Sequence, residues 1–222
     1  MEHRETEIKL KLDASIAHVA ARLRSLGATL QRPRHFEDNY ILDDARGRLR
    51  RSGSLLRVRL TPASSTLTFK GPCRIVRGTK QRDETETDLP DGALLLEILE
   101  RAGMRCAFRY QKHRTIYRLA SILMTVDETP IGNYLEVEGS AGAITRFARK
   151  LGFEESEFIT ATYHELFLSY IKAHHIKSED MVFGFKTSKR VCPPMGISMG
   201  KKTRTPNQRG FQTMSTRRPS SR

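Results

Sequence analysis

The stretch ETEIKLKL at residues 5–12 alternates charged or polar side chains with mostly apolar ones. Acids and lysines take the odd positions, and threonine, isoleucine and leucine take the even ones. Successive side chains of a β-strand point to opposite faces, so this period of two predicts a strand with one charged face and one apolar face. On a solitary strand the charged face would be the solvent side. The interpretation changes because the same pattern recurs along the chain.

Charged and apolar residues alternate in several later segments, and acids and bases come in matched sets. In residues 55–60, Arg57 and Arg59 share one face, with Leu and Val on the other. Such repetition predicts apolar faces that pack outward onto helices and charged faces that line an interior. The other sets with a common face are Lys70 in residues 66–70, Arg82 with Glu84 and Glu86, Lys112 with Arg114, Thr125 with Asp127, and Glu136 with Glu138.

Four helices are predicted between the strands, each with one apolar stripe. They span residues 13–26, 91–102, 141–151 and 162–174, and the first three are followed by a glycine, as is common at helix C-termini. Frequent strands interleaved with such helices indicate an α+β fold. Because the helices cover the apolar faces of the strands, the charged faces must line the inside of the sheet. We therefore expect a closed antiparallel β-barrel, which is a tunnel with a charged interior and with helices packed on the outside.

The net charge of +14 suggests a polyanionic partner, but the charge is unevenly distributed. Residues 181–222 contain ten Lys or Arg and no Asp or Glu, which leaves +4 for residues 1–180. From residue 177 onward the composition is rich in bases and turn-forming residues and cannot bury a core. We therefore predict a folded domain over 1–176 and a basic, disordered tail over 177–222, with a short apolar patch at 181–185 that docks locally. Weak contact between the tail and nucleic acid is the minority interpretation.

Cellular context follows from what the sequence lacks. The three cysteines, Cys73, Cys106 and Cys192, are scattered without the spacing of a zinc or redox motif, which fits a reducing compartment. The first residues are charged rather than apolar, unlike a signal peptide, and no run of 18 apolar residues occurs. We expect a cytoplasmic protein with no membrane partner.

The charged interior predicts its own chemistry, because enclosed charges are costly unless they are paired or hold ions. Carboxylates without nearby histidine or cysteine suit hard cations such as Mg²⁺ or Mn²⁺, and arginine and lysine suit the oxygens of a polyphosphate. The combination predicts a site for a metal–triphosphate complex. Lys9, among other cations, is expected to have a lowered pKa and to act as the catalytic base. The acids are Glu5, Glu7, Glu84, Glu86, Asp127, Glu136 and Glu138, and the bases are Lys9, Arg57, Arg59, Lys70, Lys112 and Arg114.

Ordered motifs over residues 1–173 resemble the CYTH superfamily, also called triphosphate tunnel metalloenzymes. The opening Glu5-x-Glu7-x-Lys9 matches the signature of that family. The second motif departs from the family pattern, since Ile41-Leu42 replaces the usual Phe. Further matches follow in the expected order at residues 38–43, 47–50 leading to 56–59, 69–71, 82–86, 112–117, 127 with 132–138, and 163–166.

The resemblance implies a role for each charged set. Glu5, Glu7, Glu136 and Glu138 resemble the acids that hold the divalent ions, with Glu84, Glu86 and Asp127 as supporting acids. The bases Lys9, Arg57, Arg59, Lys70, Lys112 and Arg114 resemble the residues that grip the triphosphate. Together they would neutralise charge and orient the reacting bond during phosphoryl transfer.

Three functions remain open at this point, because a fold does not fix a reaction. The favoured one is a metal-dependent triphosphatase acting on tripolyphosphate, thiamine triphosphate or ATP, since the interior described above recognises the triphosphate alone. The second is a class IV adenylyl cyclase that converts ATP to cyclic AMP and pyrophosphate. The third is a non-enzymatic module that binds polyphosphate or nucleic acid. The oligomeric state is not indicated by the sequence.

Overall fold

The computed structural model describes residues 3–76 and 78–184, with side chains described from Glu5 onward. Its strands are β1 His3–Leu12, β2 Thr29–Asp44, β3 Leu55–Leu60, β4 Ser65–Lys70, β5 Arg74–Val76, β6 Thr79–Leu89, β7 Met104–Leu119, β8 Ile122–Thr129 and β9 Gly132–Glu138. Its helices are α1 Ile16–Ser25, α2 Arg48–Arg51, α3 Gly92–Arg101, α4 Ala141–Leu151 and α5 Tyr163–Ala173, with a 3₁₀ turn at Glu155–Glu157.

Eight of these strands form a closed ring. Their order is β1-β9-β8-β7-β2-β3-β4-β6, and the pairing of β6 with β1 closes it. The short strand β5 attaches to β6 outside the ring. The ring pairs are all antiparallel, so the predicted α+β fold with a closed antiparallel tunnel is confirmed.

The apolar strand faces point outward and are covered by helices. Ile8 and Leu10 of β1 are fully buried in one core that also contains Val19 and Leu23 of α1 and Phe147 of α4. A separate core joins Leu96 of α3 to outward residues of β2 and β3. Burial of these aliphatic side chains at about 1.5–3 kcal/mol each holds the wall of the ring in register. The charged strand faces are thereby left to the interior.

Helix bounds agree with the sequence analysis except in two places. Helix α1 begins after Ser15, whose hydroxyl accepts a hydrogen bond from the His18 amide at 3.3 Å, and not at residue 13, where the predicted span begins. The short helix α2 was not predicted, because its four residues carry three arginines and no apolar stripe. Buried Asp43 stabilises α2 by accepting hydrogen bonds from the backbone amides of Leu49 and Arg50.

Helix α5 and the segment after it cover one part of the ring interior. Tyr163 and Phe167 of α5 pack against Phe108 and Tyr110 of β7. Met181 is completely buried in the same cluster and exchanges backbone hydrogen bonds with β7. Residues beyond the predicted domain end at 176 therefore still contact the ring, and within the predicted apolar patch Met181 is the buried member. The rest of the predicted tail lies outside the described residues.

None of the helices in the described part of the chain combines the length and the apolar character needed to cross a membrane.

Candidate active site

The inner face of the ring brings the first and last sequence signatures together. Strands β1 and β9 place Glu7 opposite Glu138 and Lys9 opposite Glu136. Residues directly opposite each other on antiparallel strands share a face. The Lys9 ammonium lies 3.2 Å from Glu136 Oε1 and 3.5 Å from Glu7 Oε1. The predicted convergence of these charges is confirmed.

Three carboxylates on β1 and β6 share two lysines. Lys70 contacts Glu5 and lies 2.9 Å from Glu84 Oε2, while Lys80 donates to Glu7 Oε1 at 2.8 Å. Pairing of β1 with β6 and of β6 with β4 brings these strands side by side. We call this set the carboxylate cluster; it consists of Glu5, Glu7, Glu84, Lys70 and Lys80.

The carboxylate cluster is crowded with negative charge. Burial, the nearby charge of Glu7 and the contact with Glu84 together raise the pKa of Glu5 to about 7, although Lys70 opposes the shift. Burial also opposes the ionisation of Glu7, but Lys9 and Lys80 outweigh it and hold the pKa of Glu7 well below its ordinary value. Adjacent carboxylates therefore differ in protonation, and Glu5 retains its proton most readily.

Lys9 does not have the properties expected of a base. It is buried, and burial favours its neutral form, but Glu7 and Glu136 outweigh burial and raise the pKa of Lys9 above its ordinary value. The sequence analysis expected the opposite because it placed Lys9 among cations. In the structure its nearest charges are carboxylates, so the predicted lowering of its pKa is wrong, and Lys9 is a charged group.

Cations dominate the part of the interior lined by β3 and β7. Arg57 donates to the hydroxyl of Thr68 at 3.0 Å, and Arg59 Nε donates to the Asn39 amide oxygen at 3.1 Å. The pKa of Arg59 is lowered by burial and by the like charge of Arg57. This crowding of positive charge favours a bound anion. We call this set the cation cluster; it consists of Arg57, Arg59, Lys112 and Arg114.

Asp127 organises half of the cation cluster. Arg114 donates to both of its oxygens at 2.7 and 2.6 Å, and Lys112 donates to it at 2.8 Å. The hydroxyl of Tyr163, at the start of α5, donates to the same carboxylate at 2.7 Å. Asp127 has no exposed surface, so its oxygens are occupied by protein donors. These contacts fix the direction in which Arg114 and Lys112 point.

The two remaining predicted metal-binding acids lie elsewhere on the inner face. The Glu86 side chain is 40 % exposed and lies 3.4 Å from Arg57 Nη2, with a hydrogen bond from Thr68 at 2.5 Å. Glu138 is half-buried and faces Glu7 from β9. Glu138 is thus beside the carboxylate cluster, and Glu86 is nearer to the cation cluster.

Four inner-face residues were missed by the sequence analysis. Lys80 and Tyr110 extend the alternations of Arg82-x-Glu84 and Lys112-x-Arg114 by one step, so a signal for them existed. The ring of Tyr163 lies in the core, but its hydroxyl reaches the charged interior. Glu37 had no usable signal, because β2 has irregular register just before it, between Arg32 and His35.

Several buried polar atoms of the described residues lack a hydrogen-bond partner. They all lie on β2, β3 or β4, which are adjacent strands of the ring. An unpaired buried polar group costs about 1–3 kcal/mol, so such atoms mark places where a ligand or water is accommodated. They are Arg57 Nε, Thr66 Oγ1, Glu37 Oε2 and His35 Nε2.

The carboxylates of the inner face are chemically suited to a hard divalent cation, but in the described part of the chain their positions do not form a coordination site. Carboxylate oxygens are the ligands that Mg²⁺ and Mn²⁺ prefer, and burial together with the nearby charge of Glu7 raises the pKa of Glu5, so a cation beside Glu5 would favour its ionised form. Within the described ranges, however, no three Asp, Glu, His or Cys side chains surround one point closely enough to hold a metal ion. The acids are arranged as ion pairs with lysines, which a cation would have to displace.

Comparison with solved structures supports this fold. A proposed adenylate cyclase from Vibrio parahaemolyticus superposes with a TM-score of 0.67 at 16% identity, covering 76% of this chain and 99% of its own. A protein from Pyrococcus horikoshii has a TM-score of 0.61 at 25% identity, with 74% and 98% covered. A proposed adenylyl cyclase from Hippeastrum, described as having a dominant triphosphatase activity, has a TM-score of 0.54 at 20% identity, with 76% and 96% covered.

No curated protein matches the chain. The profile of the CYTH domain matches residues 3–163, from the first strand to the first residue of α5. That stretch includes both clusters, the closed ring and Asp127. The chain therefore belongs to the CYTH domain family.

Proposed function

We propose that this protein is a divalent-metal-dependent enzyme that hydrolyses an inorganic or organic triphosphate. The observation that carries the proposal is the placement, inside one closed ring, of a carboxylate cluster in which Glu5 and Glu84 share Lys70 beside a cation cluster in which the like charge of Arg57 lowers the pKa of Arg59. A metal–polyphosphate complex would bring a cation to the first cluster and an anion to the second. Membership of the CYTH domain family agrees with this assignment.

The cation cluster would bind the phosphate chain. Arg57 and Arg114 are planar guanidinium groups, which match phosphate oxygens in pairs, and Lys112 adds a point charge. Because Asp127 and Thr68 hold these groups in place before substrate arrives, little reorganisation is needed when charge develops on the transferred phosphoryl group. Hydrolysis joins the oxygen of water to the terminal phosphorus and breaks its bond to the bridging oxygen, so that phosphate and a diphosphate leave.

The carboxylate cluster would hold the metal, Mg²⁺ or Mn²⁺, through Glu5, Glu7 and Glu84, with Glu136 and Glu138 facing them from β9. A bound ion of this kind polarises phosphoryl oxygens and neutralises their charge. Lys70 and Lys80 would then be released from their acids to phosphate oxygens. Asp127 is excluded from this role because its oxygens are already occupied.

Cyclisation of ATP is the second candidate function, and the names given to two proteins of similar structure support it. Proteins of this fold from Vibrio parahaemolyticus and Hippeastrum are described as adenylate cyclases, the latter with a dominant triphosphatase activity. We prefer hydrolysis because the inner-face groups described above would engage phosphate and metal charge, and hydrolysis needs no recognition of a base.

A substrate panel with product identification tests the proposal. Tripolyphosphate, thiamine triphosphate and ATP would each be incubated with Mg²⁺ or Mn²⁺, and phosphate, pyrophosphate and cyclic AMP measured. We expect phosphate release from at least one triphosphate, lost in EDTA. Cyclic AMP produced faster than phosphate would assign the cyclase instead. Tight binding without any product would assign a non-enzymatic polyphosphate-binding module.

A further inference from the structure

Glu37 is a buried carboxylate inside the cation cluster that the proposed reaction does not use. It lies on β2 opposite Lys112 and is only 1 % exposed. Its Oε2 atom is 3.5 Å from Arg59 Nε and 3.7 Å from Lys112 Nζ. Burial opposes its ionisation, but Arg114, Arg59 and Lys112 outweigh burial and hold the pKa of Glu37 well below its ordinary value. Glu37 is therefore a permanent negative charge among the groups that would bind phosphate.

The contacts of Glu37 are those of a counter-ion and not of a positioning residue. Oε2 approaches two cations but receives no hydrogen bond. Arg59 is held instead by Asn39 at 3.1 Å, and Lys112 is held by Asp127 at 2.8 Å. Both cations would therefore keep their positions without Glu37, and what they would lose is a neutralising charge.

We infer that Glu37 occupies a phosphate-oxygen position in the empty site and so competes with the substrate for Arg59 and Lys112. This inference rests on the proposed function for the identity of the anion, a polyphosphate. An internal competitor of this kind weakens the binding of substrate and product alike, and it lowers the cost of leaving like charges together when the site is empty. It also limits how much negative charge this part of the tunnel accepts.

The decisive variant is Glu37→Gln, which keeps the size of the side chain and removes its charge. Tripolyphosphate binding would be measured by calorimetry in EDTA, where metal-dependent turnover is absent. We expect roughly tenfold tighter binding in Glu37→Gln than in the wild type, because a charge-assisted contact is restored to the ligand. The matched control is Glu128→Gln, which makes the same change in net charge at an ion pair with Arg34 on the outer face of the ring. We expect its affinity to equal that of the wild type.

Equal or weaker binding by Glu37→Gln would overturn the inference and make Glu37 a positioning residue. Equal tightening in Glu128→Gln would also overturn it, since net charge alone would then explain the gain. If Glu37→Gln does not fold, Glu37→Asp decides, because it withdraws the carboxylate by one methylene from Arg59 and Lys112. Tighter binding by that variant supports the competitor, and unchanged or weaker binding refutes it.

The experiment also separates this inference from the proposed function. Tighter binding in Glu37→Gln together with no product from any triphosphate would leave the competitor in place and reject the enzyme. Turnover of a triphosphate together with unchanged affinity in Glu37→Gln would support the enzyme and reject Glu37 as a competitor.

Discussion

Asp127 and the acids of the carboxylate cluster are all carboxylates that lie among bases on the inner face of the ring. They differ in how far nearby bases and hydroxyl groups neutralise and hydrogen-bond them. Asp127 receives hydrogen bonds from Arg114, Lys112 and Tyr163, all between 2.6 and 2.8 Å. In the carboxylate cluster, Glu5 and Glu84 compete for Lys70, and the pKa of Glu5 rises to about 7. Asp127 is saturated by the protein, whereas Glu5 has to share its lysine with Glu84.

That difference indicates which acids belong to the fold and which belong to a ligand. A buried carboxylate with every oxygen occupied contributes through the geometry it imposes, and exchanging its partners would cost several kcal/mol. Acids that share one lysine can instead accept a cation that takes the place of that lysine. The sequence analysis placed all seven acids in one metal-binding group, because alternation identifies the face of a residue and not its partners.

Replacing Glu7 should have the largest effect on activity. Glu7→Gln removes the carboxylate that remains most firmly ionised in the carboxylate cluster. We expect metal-dependent turnover to fall by about a thousandfold or more, beyond the roughly 10–100-fold typical of losing an outer-shell partner of a metal. Steady-state kinetics with tripolyphosphate and Mg²⁺ would measure it. Circular dichroism must show that the variant remains folded.

Glu128→Gln serves as the control for Glu7→Gln, since Glu128 pairs with Arg34 outside the ring. Its turnover should match that of the wild type. Wild-type turnover in Glu7→Gln would remove the carboxylate cluster from the chemistry, and the contrast with Asp127 would then have no functional meaning.

Asp127→Asn should instead show its largest effect in stability. Removing the charge leaves Lys112 and Arg114 buried without their main counter-ion, which typically costs about 3–5 kcal/mol in the free energy of unfolding. Urea denaturation would measure it. On the same inner face, Glu86→Gln provides the comparison, because its side chain is 40 % exposed and such pairs contribute about 0–1 kcal/mol. Equal losses in the two variants would show that saturation of Asp127 by the protein does not matter for folding.

The alternation of charge and hydrophobicity was enough to predict the strands and their charged faces, because it depends only on neighbouring residues. It assigned the inner faces of β1, β3 and β9 correctly, along with the helices that cover the outside. Which charges meet was not predictable in the same way. The partners of Glu7 lie on β6 and β9, so they depend on a ring closure that no local pattern records.

Lys9 and Met181 illustrate that limit. Lys9 was expected to lie among cations, but registers with β9 place Glu136 opposite it and reverse the direction of its pKa shift. Met181 was placed in a tail because the sequence that follows its short apolar patch is rich in bases and turn-forming residues. Its actual neighbours are on β7, about 70 residues earlier in the sequence, and they bury it completely.

The C-terminal segment should support the Asp127 side of the interior more than the carboxylate cluster. Met181 packs with Tyr163, the donor to Asp127, and the Arg109 amide donates to Asp180 at 2.8 Å. A chain ending at Ile176 should be about 2–4 kcal/mol less stable than one ending at Gly184, from the loss of one buried methionine and its hydrogen bonds. Urea denaturation of the two truncated chains isolates residues 177–184. Equal stability would show that this segment does not support the ring.

The most gradual expected effect is a pH dependence that belongs to the carboxylate cluster alone. The pKa of Glu5 is about 7 in the folded chain and 4.5 ordinarily, so between these values the folded state holds a proton that the unfolded state has lost. The contribution of Glu5 to the free energy of unfolding is therefore complete below about pH 4.5 and is lost as the pH rises through about 7. Between these two values the loss is roughly 1 kcal/mol per pH unit. Urea denaturation in EDTA between pH 5 and 8 would measure it. Glu5→Gln cannot ionise and should lack this fall, whereas Glu128→Gln should keep it. The same slope in the wild type and in Glu5→Gln would mean that the carboxylate cluster has no excess of negative charge, and its distinction from Asp127 would disappear.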